Sequence, residues 1–150
     1  GQLALRGGKG SVLEGGIRVP AVIRWPGVIR AGSKYSQLIS AQDLLPTFAA
    51  AAGIEPANKK PLDGVNCWPA LRENKIIKRS PVVVAGQGGE FAVLHENRKL
   101  LWSRGQASLF DLKTDPTEER DVSVDHPLTV AELADALTPF LAPASQTDND

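Results

Sequence analysis

Cysteine is almost absent from these 150 residues: Cys67 stands alone. One thiol can form no intrachain disulfide and no multi-cysteine metal site. Its neighbours, Asn66 and Trp68-Pro69, suggest a structural residue at a turn, and no motif around it marks a nucleophile. Aromatic residues are scarce at 5%, and the basic residues are scattered rather than blocked, which argues against a nucleic-acid surface. No apolar run approaches the roughly 20 residues needed to cross a bilayer. The opening Gly1-Gln2-Leu3-Ala4-Leu5-Arg6 lacks the extended apolar stretch of a signal peptide. No internal repeat is present, and no His, Asp and Glu cluster has metal-ligand spacing.

Net charge is also lacking, yet the charges are unevenly placed. Residues 1–40 carry six basic side chains (Arg6, Lys9, Arg18, Arg24, Arg30 and Lys34) against Glu14 alone. The rest of the chain carries eleven basic and sixteen acidic residues. A basic leading segment suits an anionic ligand.

The hydrophobic content of 42% is that of an ordinary globular domain. A glycine-rich loop, with Gly7, Gly8, Gly10, Gly15 and Gly16 around Lys9 and Glu14, leads into Val19-Pro20-Ala21-Val22-Ile23-Arg24-Trp25. That run is apolar at most positions and predicts a strand buried on both faces of a larger sheet. A helix follows, with Asp43 as N-cap, Pro46 in its first turn, Gly53 beyond its end and Leu44, Leu45, Phe48, Ala49 and Ala52 as its apolar stripe. Residues 55–71 read as an irregular linker. Beyond it, strands are expected at Pro81–Ala85, Phe91–Glu96, Lys99–Ser103 and Ser108–Leu112, the middle two forming a hairpin. A capping box from Thr129 to Glu132 predicts the start of a final helix, with Val130, Leu133, Ala134, Leu137 and Leu141 on one face and Pro139 breaking or ending it.

The fold class expected is α+β: a small antiparallel sheet with a packed carboxy-terminal helix, preceded by a strand and a helix. The expected division is residues 1–75, then a small domain at 76–142, then a disordered tail at 143–150. An unpaired strand around Val22 would also favour self-association as a homodimer.

Several segments carry a family resemblance. The stretch Leu5-Arg6-Gly7-Gly8-Lys9-Gly10-Ser11-Val12-Leu13-Glu14-Gly15-Gly16-Ile17-Arg18-Val19-Pro20, continued by Arg24-Trp25-Pro26-Gly27, resembles the second signature region of the sulfatases. Three later segments match in the same order: Asp43-Leu44-Leu45-Pro46-Thr47-Phe48, Leu62-Asp63-Gly64-Val65, and Leu109-Phe110-Asp111-Leu112-Lys113-Thr114-Asp115-Pro116-Thr117-Glu118. The similarity is greatest to the arylsulfatase-like branch. It implies that residues 1–75 are the end of an alkaline-phosphatase-like α/β catalytic domain in an enzyme that hydrolyses sulfate esters. It also implies a periplasmic, secreted or lysosomal setting.

The resemblance further implies two groups, a formylglycine made within a Cys-x-Pro-x-Arg type of motif and a calcium ion held by Asp and Asn side chains. Cys67 stands in Cys-Trp-Pro-Ala-Leu, which lacks the arginine, and Asp148-Asn149 lies in the polar tail and is not the metal pair. Both groups are therefore expected from residues upstream of this chain, which alone is expected to be inactive. Lys9 matches the lysine that contacts the substrate sulfate and is the catalytic and substrate-binding candidate. His95 is a second candidate for substrate contact. Glu14 and Arg18 match as well, either as substrate contacts or as an internal anchor of the loop. Trp25, Trp68 and Trp102 read as core. Two other functions fit parts of this pattern: a phosphatase or phosphonate hydrolase of the same superfamily, or a non-catalytic interaction module built on the small sheet.

Overall fold

The computed structural model describes residues 4–55 and 61–141. Its helices are α1 (Glu14–Ile17), α2 (Leu44–Ala51), α3 (Trp68–Glu73), α4 (Pro127–Asp135) and α5 (Thr138–Leu141). Its strands are β1 (Val82–Ala85), β2 (Phe91–His95), β3 (Arg98–Ser103) and β4 (Gln106–Asp111). They separate into two compact units, one joining the leading residues up to Val19 to those from Pro81 onward, the other formed by Pro20–Ser80. The tail at 143–150, with Asp148 and Asn149, lies outside the described residues.

In the first unit the four strands form one antiparallel sheet in chain order. Between β3 and β4 the chain reverses on Arg104 and Gly105, both with positive φ, as a tight hairpin whose twist matches its strands requires. Cross-strand register sets two rows of opposite character. Val83, Val93, Leu100 and Leu109 align on one face and pack with Leu133 and Leu137 of the carboxy-terminal helical segment. Val82, Leu94, Lys99 and Phe110 align on the other, because successive side chains alternate. That second row is also buried, beneath the leading loop that contains Val12 and Glu14.

Three details of this unit depart from the sequence reading. The last helix begins at Pro127 rather than at the Thr129 capping box, since proline at the first helical positions has no N–H that needs a partner. Pro139 sits in the first turn of the short separate helix α5, and α4 ends at Asp135 before it. Leu141 lies partly exposed rather than on the buried face.

In the second unit, Asp43 is fully buried and pairs with Arg79 at 2.6 and 3.4 Å. Its carboxylate also accepts the amides of Ser40 and Val65, at 2.7 and 2.8 Å. The expected N-cap therefore makes no side-chain bond to α2, because its oxygens are committed elsewhere. At the other end Gly53, with φ +67°, donates to Ala50 while Ile54 donates to Ala49, a Schellman closure. The linker expected at 55–71 contains the start of α3, with Pro69 in its first turn.

No strand forms at Val19–Trp25, and Val22 is 96% exposed. A strand exists only through ladder hydrogen bonds, and no described segment pairs with this one. The α2 stripe is also uncovered, with Leu44, Leu45 and Phe48 exposed among the described residues.

Leu100 is the test of the main core. Leu100→Ala should destabilise the sheet unit by about 2–5 kcal/mol, since a cavity adds to the lost transfer energy. Urea unfolding followed by far-UV circular dichroism checks this, and a loss below about 1 kcal/mol would contradict the packing described.

Candidate functional site

The leading loop is built around a closed base. The Gly15 amide donates to the Arg6 carbonyl at 2.7 Å, and within the loop the Ser11 amide donates to Gly8 at 3.0 Å. Gly15 and Gly16 have no alternative here. A Cβ on Gly15 would lie 2.5 Å from the Gly7 carbonyl oxygen, and one on Gly16 would overlap the Ser11 carbonyl. Lys9 stands exposed in the turn at the far end of this loop, with no ion-pair partner among the described residues.

Beneath the loop lies a buried charge cluster. Lys99 is wholly inaccessible, and its Nζ is 3.0 Å from Glu14 Oε1 and 2.8 Å from Glu118 Oε1. The contact to Glu14 is a hydrogen bond. The one to Glu118 is an ion-pair contact outside hydrogen-bond geometry. Glu118 Oε2 accepts the Glu14 amide at 2.8 Å, and its backbone carbonyl accepts Arg6 Nη1 at 2.6 Å. Arg18 approaches Glu14 at 3.7 Å from a mostly exposed position and adds little, as is usual for rim pairs. Glu14 is thus the loop's internal anchor and is closed to any ligand.

Glu118 reaches this place through the turn that follows β4. Asp115 accepts the amides of Glu119 and Arg120 and the hydroxyl of Thr117. The Arg120 amide is the main reason its carboxyl titrates below the ordinary aspartate range. At Asp121, burial alone would raise the pKa of the carboxyl, but the amides of Leu109 and Ser123 outweigh it and hold it low. Both carboxylates fasten the chain leaving the sheet.

His95 is placed elsewhere. It ends β2 opposite Arg98, and its parity with Val93 puts it on the face that carries the Leu133 core. Lys9 belongs to the loop over the opposite face. No described hydrogen bond or ion pair joins the two.

Among the described residues, no group of three or more His, Cys, Asp or Glu side chains could hold a metal ion. The described residues therefore do not fit calcium. Nor does Cys67 fit a converted, reacting residue. It is buried, its amide donates to Thr47 Oγ1 at 2.9 Å, and burial, with the Asp43 carboxylate second, pushes its thiol pKa up. The indoles of Trp25 and Trp68 lie 5.3 Å apart and line an open groove with Arg72 in the second unit, so Trp25 is less buried than expected. Trp102 packs against the sheet core.

The sequence profile described as Sulfatase matches residues 1–54, the stretch that contains this loop. Over this stretch the chain is similar to the sulfatases. Human (Homo sapiens) N-acetylgalactosamine-6-sulfatase is 34% identical over 96 residues, 64% of this chain and 18% of that protein. Arylsulfatase A of Bos taurus is 51% identical over 67 residues, 45% of this chain and 13% of its own length. Steryl-sulfatase of Rattus norvegicus is 46% identical over 66 residues, 44% and 11%. The crystal structure of Ps i-CgsB superimposes with a TM-score of 0.82 at 34% identity, covering 93% of this chain and 32% of that one. The chain therefore spans less than a fifth of these curated relatives and about a third of that solved structure. The architecture is the α+β arrangement expected of an alkaline-phosphatase-like sulfatase near its carboxy terminus.

Sequence reasoning missed Lys99 and Glu118. A lysine in an alternating strand reads as solvent-facing. The signal available was that its cross-strand neighbours, Leu94 and Phe110, are apolar.

Lys99→Met should destabilise the sheet unit by about 3–5 kcal/mol, because two carboxylates would remain buried without their cation. Adding Glu14→Gln should recover part of that loss. Paired urea titrations test both, and a Lys99→Met variant as stable as the parent would contradict the cluster's role.

Proposed function

We propose that the protein containing this chain hydrolyses sulfate esters and that Lys9 is the residue here that touches the substrate sulfate. The observation that carries this reading is an exposed lysine held in a closed, internally anchored loop within the segment that the Sulfatase profile matches. The chemistry suits an ammonium. Negative charge rests on the sulfate oxygens and moves to the leaving oxygen, and a cation fixed in place stabilises it without reorganising at the moment of reaction.

Formylglycine and calcium would supply the nucleophile and the polarising cation in such an enzyme. Neither fits the described residues, so in this reading both are supplied from outside the chain, and these 150 residues are expected to be inactive alone. His95, on the other sheet face, is not part of the proposed site. A phosphatase or phosphonate hydrolase would share the anion chemistry, and the nucleophile motif outside this chain separates those readings.

No helix among the described residues is long and apolar enough to cross a membrane. The family resemblance supports a periplasmic, secreted or lysosomal setting for the whole protein. We further propose that the apolar run around Val22 mediates association of two copies of this chain, since Val19 and Val22 are 77% and 96% exposed.

Two measurements test these proposals. In the whole protein, Lys9→Ala should lower kcat on a chromogenic aryl sulfate by about 100- to 1,000-fold, as when one preorganised electrostatic contact is removed. An unchanged kcat would remove Lys9 from the reaction. For self-association, light scattering on this chain should give twice the monomer mass, and Val22→Asp should return it to the monomer; a monomer at high concentration overturns the association.

A further inference from the structure

The loop that presents Lys9 is gripped at both ends by one residue. Arg6 precedes Lys9 by three positions, and its guanidinium donates to the Glu118 carbonyl at 2.6 Å. Glu14 follows Lys9 by five positions, and its amide donates to the Glu118 carboxylate at 2.8 Å. One residue beyond Glu14, the Gly15 amide closes the loop onto the Arg6 carbonyl. Glu118 is fully buried. Its bond to the Glu14 amide is made away from water, where competing solvent cannot replace it, while the bond from Arg6, whose side chain reaches in from an exposed position, is half-buried.

Glu118 also has a left-handed backbone, with φ +58°. A non-glycine residue persists there only where its surroundings over-determine it, and such residues gather at functional sites. Here the surroundings are identifiable. The amides captured by Asp115 fix the turn, and Lys99 meets the carboxylate from the strand below.

We propose that Glu118 is a positioning residue for Lys9, acting through Arg6 and Glu14 to fix where the loop holds the lysine. This rests on the proposed contact of Lys9 with the substrate sulfate. Glu118 does not touch substrate itself. Its effect is geometric: a charged group displaced by about 1 Å from its reacting partner can lose up to about 100-fold in rate.

The test is a double-variant cycle in the whole protein, assayed with a chromogenic aryl sulfate well below the melting temperature. Glu118→Gly keeps the left-handed backbone and the carbonyl but removes the carboxylate. It should lower kcat by about tenfold or more, within the range for misplaced catalytic groups. Glu118→Gln, which retains an acceptor for the Glu14 amide, should restore most of that loss. In a Lys9→Ala background, Glu118→Gly should cost no more than about twofold further, because a residue that works through Lys9 has nothing left to position. Amide exchange on this chain supplies a second readout. In Glu118→Gly, the Ser11 and Gly15 amides should exchange at least about tenfold faster while those of β2 and β3 stay protected. If Glu118→Gly does not fold, Arg6→Ala takes its place with the same expectations. An unchanged kcat in Lys9→Ala overturns the role of Lys9, and the positioning with it. A large loss in Lys9→Ala beside full activity in Glu118→Gly, or an additive double variant, overturns the positioning alone.

Discussion

Lys99 is the residue around which the sheet unit is arranged. An ammonium removed wholly from water has a desolvation cost of several kcal/mol, roughly, and only close opposite charges offset it. Glu14 and Glu118 arrive from segments 85 and 19 positions away in sequence to meet it. The cluster is therefore better understood as a constraint on arrangement than as a source of stability. A slip of β3 by one residue would carry Lys99 to the opposite face, into the apolar core of Leu133 and Leu137 and away from Glu14 and Glu118. Only one register satisfies the lysine, and that register also places the leading loop.

The second unit has a comparable centre in Asp43 and Arg79. The carboxylate there gathers two amides and a guanidinium, and Gly64 passes so close to the Gln42 carbonyl that a Cβ would overlap it. The segments that resemble the sulfatases map onto these two centres. Glu14 and Glu118 belong to one; Asp43 and the Gly64-Val65 step belong to the other. Most of the resemblance therefore describes scaffold, and Lys9 is the loop lysine that this scaffold leaves exposed and without an ion-pair partner among the described residues.

Much of the fold was legible because local signals and tertiary packing agree. The alternation in β2, β3 and β4, the Gly53 closure of α2 and the Leu133 and Leu137 face all follow from periodicity and turn chemistry. The strand expected at Val19–Trp25 failed for the opposite reason: apolar composition prepares a strand, but a partner makes one. The Thr129 capping box lost to Pro127, whose fixed φ starts a helix two residues earlier. At the site, Lys9 was legible only through its motif, and the structure separates it from His95 by a sheet.

Residue order alone determined the strands of the sheet, the helix that Gly53 closes, the inert character of Cys67, the basic leading segment and the family to which the motifs point. Those depend on spacing within a few residues, which local physics reads directly. Tertiary structure decided which lysine is buried, that Glu14 is an anchor, and that Glu118 holds both ends of the Lys9 loop. Burial is a property of what covers a side chain, and here the cover comes from residues more than eighty positions away.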